Sequence, residues 1–172
     1  MKMILRLTCA LALLVPAYAC CRAQEEVKPV EVTLCDLYQQ PEQYASRMIK
    51  VRGGSINELR LEDIARESAA KPCPTYMRII VVFPDQVKPA PGFNLVRDES
   101  YKRLEEALHS RSPIHIDATY EGRFDAAFAW RQGKRVKLGQ GNDKGYGKKH
   151  EYDARIVLRQ VYDVWASPLP RL

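Results

Sequence analysis

The sequence predicts a mainly β domain, a five-stranded Greek-key barrel of the OB-fold type with a helix between its third and fourth strands and a short leading helical segment. Three observations lead there. Hydrophobic periodicity and turn chemistry give the element order strand, strand, strand, helix, strand, strand, which is the order of that barrel. The chain of 172 residues keeps about 149 once an export-type leader is set aside, enough for one sizeable core. The composition, 46% hydrophobic and 28% charged with nine Gly and eleven Pro, is ordinary for a globular chain and excludes a disordered chain or a repeat array.

Residues 1–23 have the form of a signal peptide: a positive start with Lys2 and Arg6, the apolar stretch Leu7–Val15, then Ala17-Tyr18-Ala19 as a small-x-small cleavage pattern. The apolar stretch is far shorter than the roughly 20 residues a membrane helix needs, and no later segment comes closer. Cleavage before Cys20 would expose a cysteine for lipid anchoring, and cleavage after Ala23 would release a soluble protein beginning Gln24-Glu25-Glu26. Both outcomes export the chain, to the periplasm or beyond. Residues 24–31 read as a polar linker, 32–167 as one domain and 168–172 as a tail.

Within the domain, Thr33 can cap a short helix through Leu34-Cys35-Asp36-Leu37, and Pro41 opens a further turn before Tyr44. Met48-Ile49-Lys50-Val51-Arg52 alternates apolar and basic residues and predicts a strand stopping at Gly53-Gly54 in a bulge or bend, with 56–61 as the return strand. Residues 62–74 read as a short helix or loop. Tyr76–Phe83, rich in β-branched and aromatic residues, predicts the central strand. Pro84, Pro89 and Pro91 hold a loop up to Asp98, which caps a helix with Tyr101, Leu104, Ala107 and Leu108 on one stripe. Strand periodicity then places Ile114, Ile116, Ala118 and Tyr120 on one face and His115, Asp117, Thr119 and Glu121 on the other, bounded by Pro113 and Gly122. A last strand runs from Ile156 to Trp165, after a glycine-rich connection at 131–150 that reads as long and mobile.

Two cysteines remain in the exported body, Cys35 and Cys73, and an oxidising compartment predicts that they pair. Closing that loop of about 38 residues would stabilise the fold by on the order of 4 kcal/mol. The alternative is two buried thiols. No C-x-x-C and no nearby His suggests a zinc set.

The leader removes three basic residues, so Lys+Arg falls from 27 to 24 against 21 Asp+Glu and the formal charge from +6 to +3. Residues 131–150 alone hold seven Lys or Arg and one Asp. Arg131, Lys134, Arg135, Lys137, Lys144, Lys148 and Lys149, interleaved with Trp130 and Tyr146 and followed by His150, form the candidate binding surface, since cations contact anionic groups and rings stack on bases or sugars. The segment lies between the fourth and fifth strands, a connection that OB barrels use for ligands. A bland reading stands beside it, a lysine-rich loop that is merely soluble. A site on the barrel itself would instead gather Arg52, Arg78, Arg123, Trp130 and His150 on one concave face.

The motifs of the common catalytic classes do not occur. There is no G-x-x-x-x-G-K-[ST] or G-x-G-x-x-G for nucleotides, no H-E-x-x-H for a zinc hydrolase and no G-x-S-x-G for an acyl-transfer nucleophile, so neither catalytic residue nor cofactor nor metal is assigned. His109 ends the helix, where its imidazolium would favour the terminal carbonyls. His115 and Asp117 share a strand face without a third partner.

The chain also resembles a group of uncharacterised exported bacterial proteins with an OB-like barrel. The resemblance rests on Thr33-Leu34-Cys35-Asp36-Leu37, Pro41-Glu42-Gln43-Tyr44, Ile49-Lys50-Val51-Arg52-Gly53, Glu121-Gly122-Arg123-Phe124, and Gly145-Tyr146-Gly147 with His150 and Tyr152. It spans residues 30–165 and implies fold and export, not an activity. In that pattern a His follows Gly-Tyr-Gly directly, whereas here Lys148-Lys149 intervene, which leaves the role of His150 open. The function expected is therefore an exported, non-catalytic binding or interaction module whose partner is an anionic polymer or an envelope protein. Export makes intracellular nucleic acid a poor fit. A structural or accessory envelope lipoprotein, and an envelope-polymer hydrolase, are the competing classes.

Overall fold

The computed structural model describes residues 28–56, 59–61, 77–88, 91–139 and 144–169. The leader with Cys20 and the Cys73 half of the expected disulfide lie outside the described residues, as do Tyr76 and the segment 62–74.

Strand β1, Val30–Val32, begins inside the stretch read as linker. It pairs in parallel with β2, Met48–Ile56, with Val30 opposite Ile49 and Val32 opposite Val51. Between them, Thr33 caps helix α1, Leu34–Gln39, in a reciprocal capping box: its hydroxyl accepts from Asp36 N at 3.1 Å and its own N–H donates to Asp36 Oδ2 at 2.8 Å. Pro41 then starts α2, Pro41–Tyr44, where its missing N–H costs nothing.

The expected stop at Gly53-Gly54 does not occur, and β2 runs through both glycines to Ile56. A Cβ on Gly53 would sit 3.3 Å from side-chain carbons of both Leu34 and Leu61, so the missing side chain makes room for α1 and for β3, Arg60–Leu61, to close on the strand. Strand β4, Ile79–Val82, pairs with β3 on one side and in parallel with β8, Ala154–Pro168, on the other. It is therefore next to an edge rather than central. Asp98 caps α3, Glu99–Leu108, by accepting from Tyr101 N at 3.0 Å, and Tyr101, Leu104 and Ala107 are the buried stripe.

Strand β5, Ile114–Ala126, buries Ile116, Ala118, Tyr120, Phe124 and Ala126 on one face, the alternation read from sequence. Gly122 does not end it. A Cβ there would lie 2.2 Å from the Val157 carbonyl oxygen, so only glycine lets β5 and β8 approach beside the register shift between Glu121 and Gly122.

The main sheet has six strands in the order β1-β2-β5-β8-β4-β3. It curls into a half-barrel. Among the described residues no ladder joins β2 to β3, and β1 occupies the edge of β2 at Ile49–Val51. Inside the curl, Leu37, Ile49, Val51, Leu104, Ile116, Tyr120, Phe124, Ile156 and Leu158 form the core with at most 1% of their surface exposed. Phe83 meets Tyr101 edge to face at 6.1 Å, which ties α3 to the end of β4.

The described part of the segment read as a long connection holds regular structure. Strands β6, Phe128–Arg131, and β7, Lys134–Lys137, form a hairpin with Trp130 opposite Arg135. Gln132 (φ 50°) and Gly133 (φ 75°) close it in a two-residue turn of positive φ that matches strand twist. Residues 146–152 then form a small closed loop in which Tyr146 and Tyr152 exchange backbone hydrogen bonds of 2.9 and 3.1 Å.

Candidate anion-binding surface

Four carboxylates organise the cations on and around the sheet. Asp153, only 1% exposed, precedes β8 and accepts from three groups: Arg78 N at 3.0 Å, Trp130 Nε1 at 3.1 Å and Arg135 Nε at 2.6 Å. Its backbone carbonyl accepts from Ala127 N and Phe128 N. One residue thus clamps the base of the hairpin to the start of β4. Beneath the clamp, Ala127, Phe128, Tyr146 and Tyr152 form a second small apolar cluster, with the Arg135 guanidinium 3.6 Å from the centre of the Phe128 ring.

Asp125, on the outer face of β5, takes two arginines. Arg123 donates through Nε to Oδ1 at 2.9 Å and through Nη2 to Oδ2 at 3.1 Å, while Arg155 donates through Nε to Oδ2 at 2.9 Å. Arg155 also lies over the Tyr146 ring at 4.6 Å. Burial raises the Tyr146 phenol above its ordinary pKa, Asp125 adds to the rise, and Arg155 and Arg123 oppose it. Further along the same face, buried Glu121 accepts from Arg159 Nε at 2.5 Å and from the Tyr162 hydroxyl at 2.8 Å. The Tyr162 phenol is pushed up to about 12, first by desolvation and then by its hydrogen bond to Glu121. At the far end, Arg52 makes a two-point pair with Asp117 at 3.1 and 3.0 Å, beside the exposed ring of Trp165.

The ten residues expected to bind divide by what holds them. Trp130, Arg135 and Tyr146 are held by the clamp, the Phe128 ring and the small cluster. Lys134, Lys144, Lys148 and His150 are exposed, His150 with a φ of 56° and its Nδ1 3.3 Å from the Gly145 carbonyl oxygen. Arg131 is taken by the Gln39 carbonyl at 2.9 Å and by the Glu42 carboxylate. Lys134, Lys137, Lys148 and Lys149 make no ion pair with any described carboxylate.

The five residues of a single barrel site do not meet. Trp130 and the Arg78 backbone meet at Asp153, Arg123 is at Asp125, Arg52 is at Asp117, and the His150 ring is at Gly145. Arg52 and Arg123 lie opposite residues four apart along their shared ladder, about 13 Å. His109 caps α3, its Nδ1 2.7 Å from the Glu105 carbonyl oxygen. Among the described residues no group of three His, Cys, Asp or Glu side chains could hold a metal ion. Two open grooves, one of about 300 Å³ beside Pro84 and Phe93 and one of about 440 Å³ between Arg103 and Val164, lie away from the basic hairpin. Sequence reasoning missed the Arg123–Asp125–Arg155 group, although Arg123 and Asp125 at i, i+2 on a strand were a legible signal for two charges on one face. Compared with protein-family models, curated proteins and solved structures, the chain matches none.

Proposed function

We propose that the chain is an exported, non-catalytic module that binds an anionic polymer along the β6–β7 hairpin and the 144–150 turn, carried on an OB-like barrel open between β2 and β3. The observation that carries this reading is the set of exposed lysines, Lys134, Lys137, Lys148 and Lys149, that no described carboxylate neutralises. The neighbouring arginines are spent internally, so the lysines are the charges left to meet a partner. The Asp153 clamp supports the same reading, because a hairpin fixed at its base presents its cations without further ordering cost. The OB-like assignment is supported by the neighbours in the sheet: β2, β5, β8, β4 and β3 follow one another, α3 lies between the third and fourth of these strands in the chain, and the hairpin between the fourth and fifth. The leader-like residues 1–23 support export and point to an envelope polymer as partner.

The test is a binding titration with polyphosphate and with heparin at several salt concentrations. Each lost phosphate contact changes the slope of log K against log salt by roughly 0.7, so replacing all four lysines with Ala should flatten it by about 3. Identical slopes for the wild type and the fourfold variant overturn the proposal.

A further inference from the structure

The Arg123–Asp125–Arg155 group has more donors than its carboxylate uses. Arg155 spends only Nε on Asp125, and Arg123 spends Nε and Nη2. The remaining guanidinium N–H groups and the Tyr146 hydroxyl have no hydrogen-bond acceptor among the described residues. None of these atoms is sealed off either, because the buried side-chain atoms without a partner are Ser55 Oγ and Tyr120 OH alone among the described residues. The two arginine side chains are nevertheless largely covered, 27% and 20% exposed, so they are held in place rather than swinging in solvent. Asp125 fixes both forks, and the Tyr146 ring supports one from below.

Two positive charges against one negative leave a net +1 at a spot where donors are ordered in advance. Guanidinium groups offer paired, directional N–H donors, and an oxyanion accepts them at the least entropic cost when they are already fixed. We propose that Arg123, Arg155 and the Tyr146 hydroxyl form a site for a single phosphate group, a free phosphate or one phosphate of a polymer chain. Phosphate fits better than carboxylate because the donors come from three side chains on two strands and a loop, and a tetrahedral group offers an oxygen in more than one plane. The Tyr146 ring lies 4.6 Å from the Arg155 guanidinium, which places the 144–150 turn beside the arginine pair. The site lies two residues in sequence from Lys148. This inference deepens the polymer-binding reading: lysines would supply attraction over distance, and the arginine pair would recognise one group of the partner.

The test follows the arginine Nε–Hε signals of the full exported chain by NMR while inorganic phosphate, and separately acetate, is titrated at constant ionic strength. Saturable shifts at Arg123 and Arg155 with phosphate, and weaker binding of acetate, are the expected result. Arg155→Gln should weaken phosphate binding about tenfold or more, the loss expected for a charge-assisted hydrogen bond. Arg155→Lys keeps the charge and serves if the Gln variant does not fold, and it should weaken binding as well, because a lysine cannot reproduce the fork. The fourfold lysine variant should bind inorganic phosphate within about twofold of wild type even when it has lost the polymer, since its lysines make no contact with the group. That separates failure of this inference from failure of the polymer reading. Linear, non-saturating shifts, or equal binding by Arg155→Gln or Arg155→Lys and wild type, mean an adventitious ion only and overturn the site. Acetate binding as tightly as phosphate overturns the assignment to phosphate.

Discussion

Replacing Asp153 with Ala should be among the most damaging single changes in the described part of the chain. The carboxylate is 1% exposed and accepts from the Arg78 backbone, the Trp130 indole and the Arg135 guanidinium. The three losses are not equal. The Arg135 side chain is 34% exposed and can turn to water, so its share is reduced by solvent screening. The Arg78 N–H and the half-buried indole N–H lose a charged acceptor, at about 1–3 kcal/mol for each orphaned donor. Together these give about 2–6 kcal/mol, a span that brackets the ~3–5 kcal/mol for breaking a buried ion pair by removing one partner. Against a typical total of 5–15 kcal/mol for a domain, that is a large fraction. The assay is urea unfolding followed by tryptophan fluorescence, where Trp130 reports its own environment. A loss below about 1 kcal/mol with the Trp130 signal unchanged would refute the argument that this carboxylate holds the hairpin.

Other changes have equally definite outcomes. Gly122→Ala should cost at least about 3 kcal/mol or prevent folding, read by circular dichroism, because the added methyl would sit 2.2 Å from the Val157 carbonyl oxygen. Asp98→Ala should cost about 1–2 kcal/mol at neutral pH through the lost α3 cap. The Asp98 carboxyl is held below its ordinary pKa by hydrogen bonds from Tyr101 N and Gln160, so its stabilisation is present above the unfolded value near 4. The difference between wild type and Asp98→Ala should therefore narrow as pH falls through the lower, folded value, as pH-dependent melting would show. Tyr120 and Tyr162 have phenols raised to about 12, so the unfolded chain ionises first and stability should decline from about pH 10 upward, less steeply in Tyr162→Phe. A count of free thiols under denaturing, non-reducing conditions checks the expected pairing of Cys35 with Cys73; two free thiols would remove it.

The elements with their own local chemistry were legible. Thr33 and Asp98 are caps whose side chains bond the third residue on, and β5 buries alternate residues, so short-range rules suffice for both. The curl of the sheet was less so. Residues Val30–Val32 carry too short a pattern to announce a strand, and their parallel pairing with β2 is settled by contacts from far along the chain. The hairpin hid for a different reason. Lys134, Arg135, Val136 and Lys137 are all exposed, so no alternation marks β7, and Gln132-Gly133 lacks the Asn or Asp that usually signals such a turn. The candidate surface was half legible. Its lysines stand in the sequence as a charge surplus, but the commitment of Trp130 and Arg135 to Asp153 depends on residues 23 and 18 positions away.

Those separations also set an order of events. The β6–β7 turn can close on its own within microseconds, as short hairpins do. Its attachment cannot, because Asp153 reaches its place only when the Arg78 end of β4, 75 residues earlier, lies alongside β8. The loop entropy of that closure must be met before the indole finds its acceptor. Burial of Trp130 is then expected as a late step of folding and an early one of unfolding, and a stopped-flow trace of its fluorescence would time the seating of the hairpin on a sheet already assembled.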